Sequence, residues 1–145
     1  MRPKREKFSS LTPARRRAQR GSTLVEGALC FTVFLMMVFG VMDFGRLLFA
    51  YNFTAFAARE GARYAMTHGN TSKSPATSDT VKTIVTNQAV GLDTSAITVT
   101  TTWSPDENPG STVNVKVQYA FNAVVPYFPG SLLNVQSTSQ MVISQ

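Results

Sequence analysis

Cysteine, histidine and tryptophan each occur once among these 145 residues, and the scarcity removes several functions at the outset. One cysteine cannot close an intrachain disulfide. Cys30 lies inside an apolar run with Leu29, not a small residue, before it, so it reads as a small buried hydrophobe and not as a lipid-attachment site. His68 has no second histidine to join it, and no histidine–cysteine–carboxylate set has metal-ligand spacing. There is no Gly-x-Ser-x-Gly elbow, phosphate-binding loop or paired zinc motif. Asp106 and Glu107 are adjacent acids in a turn, without the alternating oxygen ligands of a calcium loop. The expectation is therefore no catalytic residue, no cofactor and no metal. The chain reads as something other than an enzyme.

Charge is missing from Gly27 to Met42. A helix from Leu24 to Met42 is roughly 28 Å long, against a hydrocarbon core of ~30 Å, so residues 24–42 read as a transmembrane segment in contact with the lipid bilayer. Glu26 is the only charged side chain in that span. A carboxylate at mid-membrane costs about 2.5–3.5 kcal/mol, and less near an end, so its presence calls for a role.

Basic side chains are concentrated at one end. Residues 1–20 carry eight Lys and Arg against Glu6, which leaves −1 for the rest of a chain of net charge +6. The basic character thus belongs to a leader, not to a globular surface, and nucleic acid is not expected as a partner. Beside a membrane segment the same residues orient the chain: 1–20 in the cytoplasm, 43–145 across the membrane. With almost no apolar content, residues 1–20 are expected to be disordered.

No proline interrupts Ser22 to Thr67. Phe44, Leu47, Leu48, Tyr51, Ala55, Ala58, Ala62, Ala65 and Met66 recur at three- and four-residue steps, one face of a helix. Asp43 with Arg46, and Glu60 with Arg63, have i,i+3 spacing worth a few tenths of a kcal/mol each. A helix over 22–68 would be roughly 69 Å long, so its far half must pack on something. Gly69 or Asn70 can supply a left-handed cap, with His68 at the same helix end. Residues 69–78 form a polar linker. Ser78 or Asp79 can cap a short helix bearing Val81, Ile84, Val85 and Gln88 or Ala89 on one face and stopped at Gly91.

Alternation then predicts strands. Ile97, Val99, Thr101 and Trp103 share one face; Val113, Val115, Val117, Tyr119 and Phe121 share the next; Val135, Ser137, Ser139, Met141 and Ile143 the last. A loop joins the first two strands over 104–111, and residues 124–130, with Tyr127 and Phe128, form an irregular crossing. The fold class is α+β: a long N-terminal helix, its first half membrane-spanning and its second amphipathic, packed on a small antiparallel sheet with one short helix. The organisation is a basic cytoplasmic leader (1–21), the long helix (22–68), the linker (69–78) and an extracytoplasmic domain (79–145).

Gly21-Ser22-Thr23-Leu24-Val25-Glu26 resembles the processing site of type IV prepilins, which a prepilin peptidase cuts after the glycine. Asp43-Phe44-Gly45-Arg46 and Arg59-Glu60-Gly61-Ala62-Arg63 resemble the TadE-like pseudopilins of the tight-adherence (Tad) pilus. The resemblance covers Arg20 to about Ala65. It implies a minor pseudopilin of a bacterial inner membrane, with prepilin peptidase, other pseudopilins and pilin, and an inner-membrane assembly platform as partners, and with possible entry into a surface pilus. Its processing residues would be Gly21, Ser22 and Glu26. Glu26 would pair with the freed amine of Ser22, in its own chain or a neighbour. Gly27, Ala28, Gly40 and Gly45 would permit close helix packing. Major pilins of such a system are much shorter, which argues against a bulk filament subunit. The alternative from another class is an uncleaved single-pass membrane protein whose periplasmic domain binds a ligand or partner.

Overall fold

The computed structural model describes residues 14–124 and 133–144, with side chains from Gly21 onward. The irregular crossing expected around Tyr127 and Phe128 lies outside the described residues. Helix α1 (Ala14–Thr67) is followed by α2 (Ser78–Asn87), a 3-10 turn (Thr94–Ala96) and strands β1 (Ile97–Ser104), β2 (Thr112–Phe121) and β3 (Leu133–Val142). The chain divides into two compact units, one ending at Phe39 and the other running from Gly40 to Gln145.

The first unit is helical from Ala14, eight residues before the expected start at Ser22. Ala, Arg and Gln, which fill positions 14–20, are among the strongest helix formers, so helical propensity outweighs the lack of apolar side chains there. From Gly21 to Phe34 every side chain is exposed, Cys30 included, so Cys30 is not buried within the chain as expected. The Thr32 hydroxyl donates to the Ala28 carbonyl at 2.8 Å, which removes a polar group from an otherwise apolar surface. Among the described residues one helix is long and apolar enough to cross a membrane, and its apolar window has no buried residue. Exposed Leu24, Leu29, Phe31, Phe34 and Met37 suit a lipid anchor.

In the second unit the three strands form an antiparallel meander, β1-β2-β3. All eight residues of β1 pair with β2, and all ten of β3 pair with it from the other side, without a bulge. The expected alternation holds on every strand. Val113, Val115, Val117, Tyr119 and Phe121 are buried on central β2, while Asn114, Lys116 and Gln118 are half-exposed on the opposite face. There the Gln118 amide donates to Gln136 Oε1 at 3.0 Å. In the β1–β2 loop the Ser111 hydroxyl and the Asn108 backbone and amide groups donate to Asp106. These donors, Ser111 first, hold the Asp106 carboxyl below the usual range. Ser95 does the same for Asp93 at the 3-10 turn.

Three local expectations are corrected. Thr77, not Ser78 or Asp79, caps α2. Its hydroxyl accepts from Thr80 N at 3.2 Å while Thr80 Oγ1 accepts from Thr77 N at 2.8 Å, a reciprocal box built with threonine where glutamate is usual. The helix closes at Asn87, with Gly91 beyond it at φ +76°. At the end of α1 no residue is left-handed: Gly69 is buried, and Ala76 N donates to the His68 carbonyl at 2.7 Å. That incoming strand of linker satisfies the helix end without a left-handed cap.

The buried face of α1 also differs from the expected one. Ala58, Ala62 and Ala65 are buried as foreseen, but Phe44, Leu48 and Tyr51 are exposed, and Ala50, Phe53, Thr54 and Ala57 are buried in their place. Hydrophobicity alone selected the large side chains. Close packing on a sheet selects small ones, because only they let the helix backbone approach β2. Gly61 marks the tightest point: a Cβ there would stand 3.2 Å from Val115 Cγ1, 3.3 Å from Val81 Cγ1 and 3.4 Å from Val85 Cγ2.

Gly61→Val should therefore lower the thermal midpoint of the detergent-solubilised protein. Overpacking of this kind costs about 1–3 kcal/mol, more than the helix propensity gained, which is about 1 kcal/mol or less. Gly45→Ala, where a Cβ meets nothing within 4 Å, should leave the midpoint level or raise it. A Gly61→Val midpoint equal to or above that of the parent would contradict the packing described.

Candidate functional site

The residues singled out from sequence fall into three groups along α1. Gly21, Ser22, Glu26, Gly27 and Ala28 are all exposed in the first unit. Ser22 and Glu26 are four residues apart on a helix, which puts them on one face. A Cβ at Gly27 or Gly40 would meet nothing within 4 Å, as at Gly45. Among the described residues nothing packs at these three positions.

The second group is Asp43-Phe44-Gly45-Arg46, and here the structure adds partners. Arg46 Nη1 donates to Asp43 Oδ1 at 2.9 Å, the expected i,i+3 ion pair. The other carboxylate oxygen, Oδ2, accepts from the backbone N–H of Val124 at 2.9 Å. The Arg46 guanidinium lies 5.5 Å from the ring centre of Phe121, the last residue of β2. Asp43 is buried although it is charged. Together these contacts clamp the start of the second unit's helix to the end of β2. The sequence showed the ion pair but carried no signal for Val124, which lies 81 positions along the chain.

Arg59-Glu60-Gly61-Ala62-Arg63 forms the third group. Gly61 and Ala62 are buried against the sheet and α2, while Arg59 and Arg63 are exposed. The expected Glu60–Arg63 ion pair is not formed; among the described residues Asp43–Arg46 is the one ion pair. An exposed pair at this spacing gains so little that water competes for both groups. At the helix end His68 Nδ1–H donates to the Tyr64 carbonyl at 3.0 Å, and its ring stacks on Tyr64 with centroids 4.0 Å apart. Its role is local. Among the described residues no three His, Cys, Asp or Glu side chains gather where a metal ion could sit.

A family model described as TadE-like protein matches residues 21–63, the stretch that contains all three groups. This helix is TadE-like. The match begins at Gly21 and ends at Arg63, so the sheet and α2 lie beyond it. The match suggests an association with the Tad pilus, and the apolar helix suggests a membrane anchor. Comparison with curated proteins and with solved structures gives no match for the chain.

The clamp leads to a graded expectation. Asp43→Ala removes the ion pair and strands the Val124 N–H, a loss of about 1–3 kcal/mol. Arg46→Ala should cost less, about 0.5–1 kcal/mol, because its side chain is 46% exposed and the pair is screened by water. Denaturant titration of both variants gives the comparison. Equal losses would mean that the Val124 bond contributes nothing.

Proposed function

We propose that this protein is a TadE-like minor pseudopilin, cut after Gly21 by a prepilin peptidase and acting in assembly or initiation of a Tad-type pilus for surface adherence. The observation that carries the reading is the placement of Glu26. It is the one carboxylate in an apolar span, five residues past Gly21, inside a TadE-like match that opens at Gly21. Cleavage would free the amine of Ser22, one helical turn from Glu26. A carboxylate and an ammonium are each expensive in a low dielectric and tolerable as a pair. Pairing between neighbouring chains would also set their axial register.

In this reading the basic leader stays in the cytoplasm, the apolar span lies in the inner membrane and the sheet domain stands in the periplasm. The chain is a substrate of an enzyme and not an enzyme itself. Its partners are the peptidase, other pseudopilins and pilin, and the inner-membrane assembly platform. Exposed Gly27, Ala28, Gly40 and Gly45 leave room for their helices.

Mass spectrometry of the membrane-bound protein tests the proposal. With the peptidase present the chain should begin at Ser22, and without it the leader should remain. Glu26→Gln should be cut normally, since the cut does not use the carboxylate, yet fail to cross-link to partner pseudopilins. Loss of one member of a buried pair typically costs about 3–5 kcal/mol, enough to abolish a weak contact. The same mature mass with and without the peptidase would refute the prepilin reading. Normal cross-linking and piliation in Glu26→Gln would refute the pairing.

A further inference from the structure

Both outer strands of the sheet are left open in an unusual way. β1 (Ile97–Ser104) and β3 (Leu133–Val142) contain no charged residue and no proline. Within the paired residues neither ladder contains a bulge, and the first irregularity lies beyond β3, where Ile143 stands opposite both Gly110 and Ser111. Soluble sheets ordinarily guard their edges with lysine, proline, bulges or very short strands, because an open edge is a template for another strand. Among the described residues these two edges have none of those guards, although α2 packs beside β1.

Backbone groups on each open edge follow from the register. Ile143 N–H donates to the Ser111 carbonyl at 2.8 Å, on the β2 side. Backbone direction alternates along an antiparallel ladder, so the odd residues of β3 face β2 and its even residues face outward. Asn134, Gln136, Thr138, Gln140 and Val142 therefore present their N–H and C=O groups at the open edge. Carried through β2, the same alternation turns Val99, Thr101 and Trp103 outward on β1. Among the described residues no hydrogen bond reaches these outward groups.

The register also fixes which residues of the two edges stand level. Lys116 pairs with Thr100 on one side and Thr138 on the other, so Thr100 and Thr138 stand level across the sheet. By the same reading Ile97 is level with Val135, Thr101 with Ser139 and Trp103 with Met141. If β3 of one copy lay beside β1 of the next at this level, Ile97 would face Val135, Trp103 would face Met141 and Thr101 would face Ser139 on the inner face, with Val99 against Ser137. The parity permits this, as it does in any three-stranded antiparallel meander. In a parallel ladder each residue bonds the two residues flanking its opposite number, and the outward even residues of β3 would meet the outward odd residues of β1.

We propose that copies of this protein join side by side through parallel pairing of β3 of one with β1 of the next, with Thr138 level with Thr100. The direction rests on the membrane-anchored reading above. Within the second unit, Asp43 bonds Val124 beyond the end of β2, and the Met66 carbonyl accepts from Ser144 N beyond the end of β3, so α1 and β3 run the same way. Parallel pairing puts the Asp43 ends of neighbouring copies, and thus their anchors, on the same side. Antiparallel pairing of β3 with itself would set the Asp43 end of one copy against the Met66 end of the other, about 35 Å away along the helix. β1 and β3 are different surfaces, so the contact is heterologous and each copy offers a free edge to a further one.

Cysteine cross-linking in membranes of cells expressing the full chain tests the arrangement, in a Cys30→Ala background with a short thiol–thiol reagent. Thr100→Cys and Thr138→Cys in one chain should yield a ladder of dimers and higher species, absent from either single variant. Adding Gln140→Pro, which deletes an outward N–H and leaves the β2 ladder intact, should abolish that ladder. A dimer from Thr138→Cys alone would overturn the proposal, because only antiparallel self-pairing brings two Thr138 positions together. A ladder that survives Gln140→Pro would overturn it too. Fractionation of the same samples separates the two readings. Membrane-bound monomers from the double variant refute the pairing and leave the anchor standing. Recovery in the soluble fraction refutes the anchor, and with it the common orientation on which the pairing rests.

Discussion

The fold of the second unit depends on how closely α1 can approach β2. Ala50, Ala57, Ala58, Gly61, Ala62 and Ala65 keep that distance short, with Phe53 and Thr54 the larger side chains buried beside them. Val113, Val115 and Val117 fill the space opposite, and Val81 and Val85 close over Gly61 from α2. Small residues pack a helix tightly but bury little area each, so the contact gains its strength from fit and from the valines of the sheet. One substitution that adds bulk at the crossing point disturbs three elements together.

The same helix carries different surfaces in its two units, and this division explains where its polar groups sit. In the first unit the side chains around Glu26 are apolar and exposed, suited to lipid and to other helices. In the second, the polar demands of the chain's re-entry are met at Asp43, which serves Arg46 with one oxygen and Val124 with the other. A buried carboxylate with both kinds of partner is tolerable where a lone one is not. The three sequence blocks inside the TadE-like match thus differ physically: a carboxylate among exposed apolar side chains, a clamp at Asp43 and a close crossing at Gly61.

Strand existence, face and order of burial were legible because an alternating pattern has a period of two and a single buried side. Val113 to Phe121 could face the core only one way. Helix α1 was legible as a helix but not in its orientation. Its large apolar residues occur all round, and hydrophobicity cannot tell a core face from one that meets lipid or a partner. Phe44, Leu48 and Tyr51 were accordingly placed inside, whereas alanine and glycine spacing marks the true contact. The second partner of Asp43 was beyond reach, since nothing local to either residue encodes a bond across 81 positions. Thr77 was passed over as a cap because its box partner is threonine and not glutamate.

The central proposal is that one apolar helix anchors the chain and holds the sheet domain on the side of the membrane opposite the basic residues 1–20. Fusion of a reporter after Gln145 tests it most directly, using one enzyme that works only in the periplasm and another that works only in the cytoplasm. With an excess of seven positive charges before the span, the periplasmic reporter should be active and the cytoplasmic one silent. Activity of the cytoplasmic reporter, with the periplasmic one silent, would contradict it.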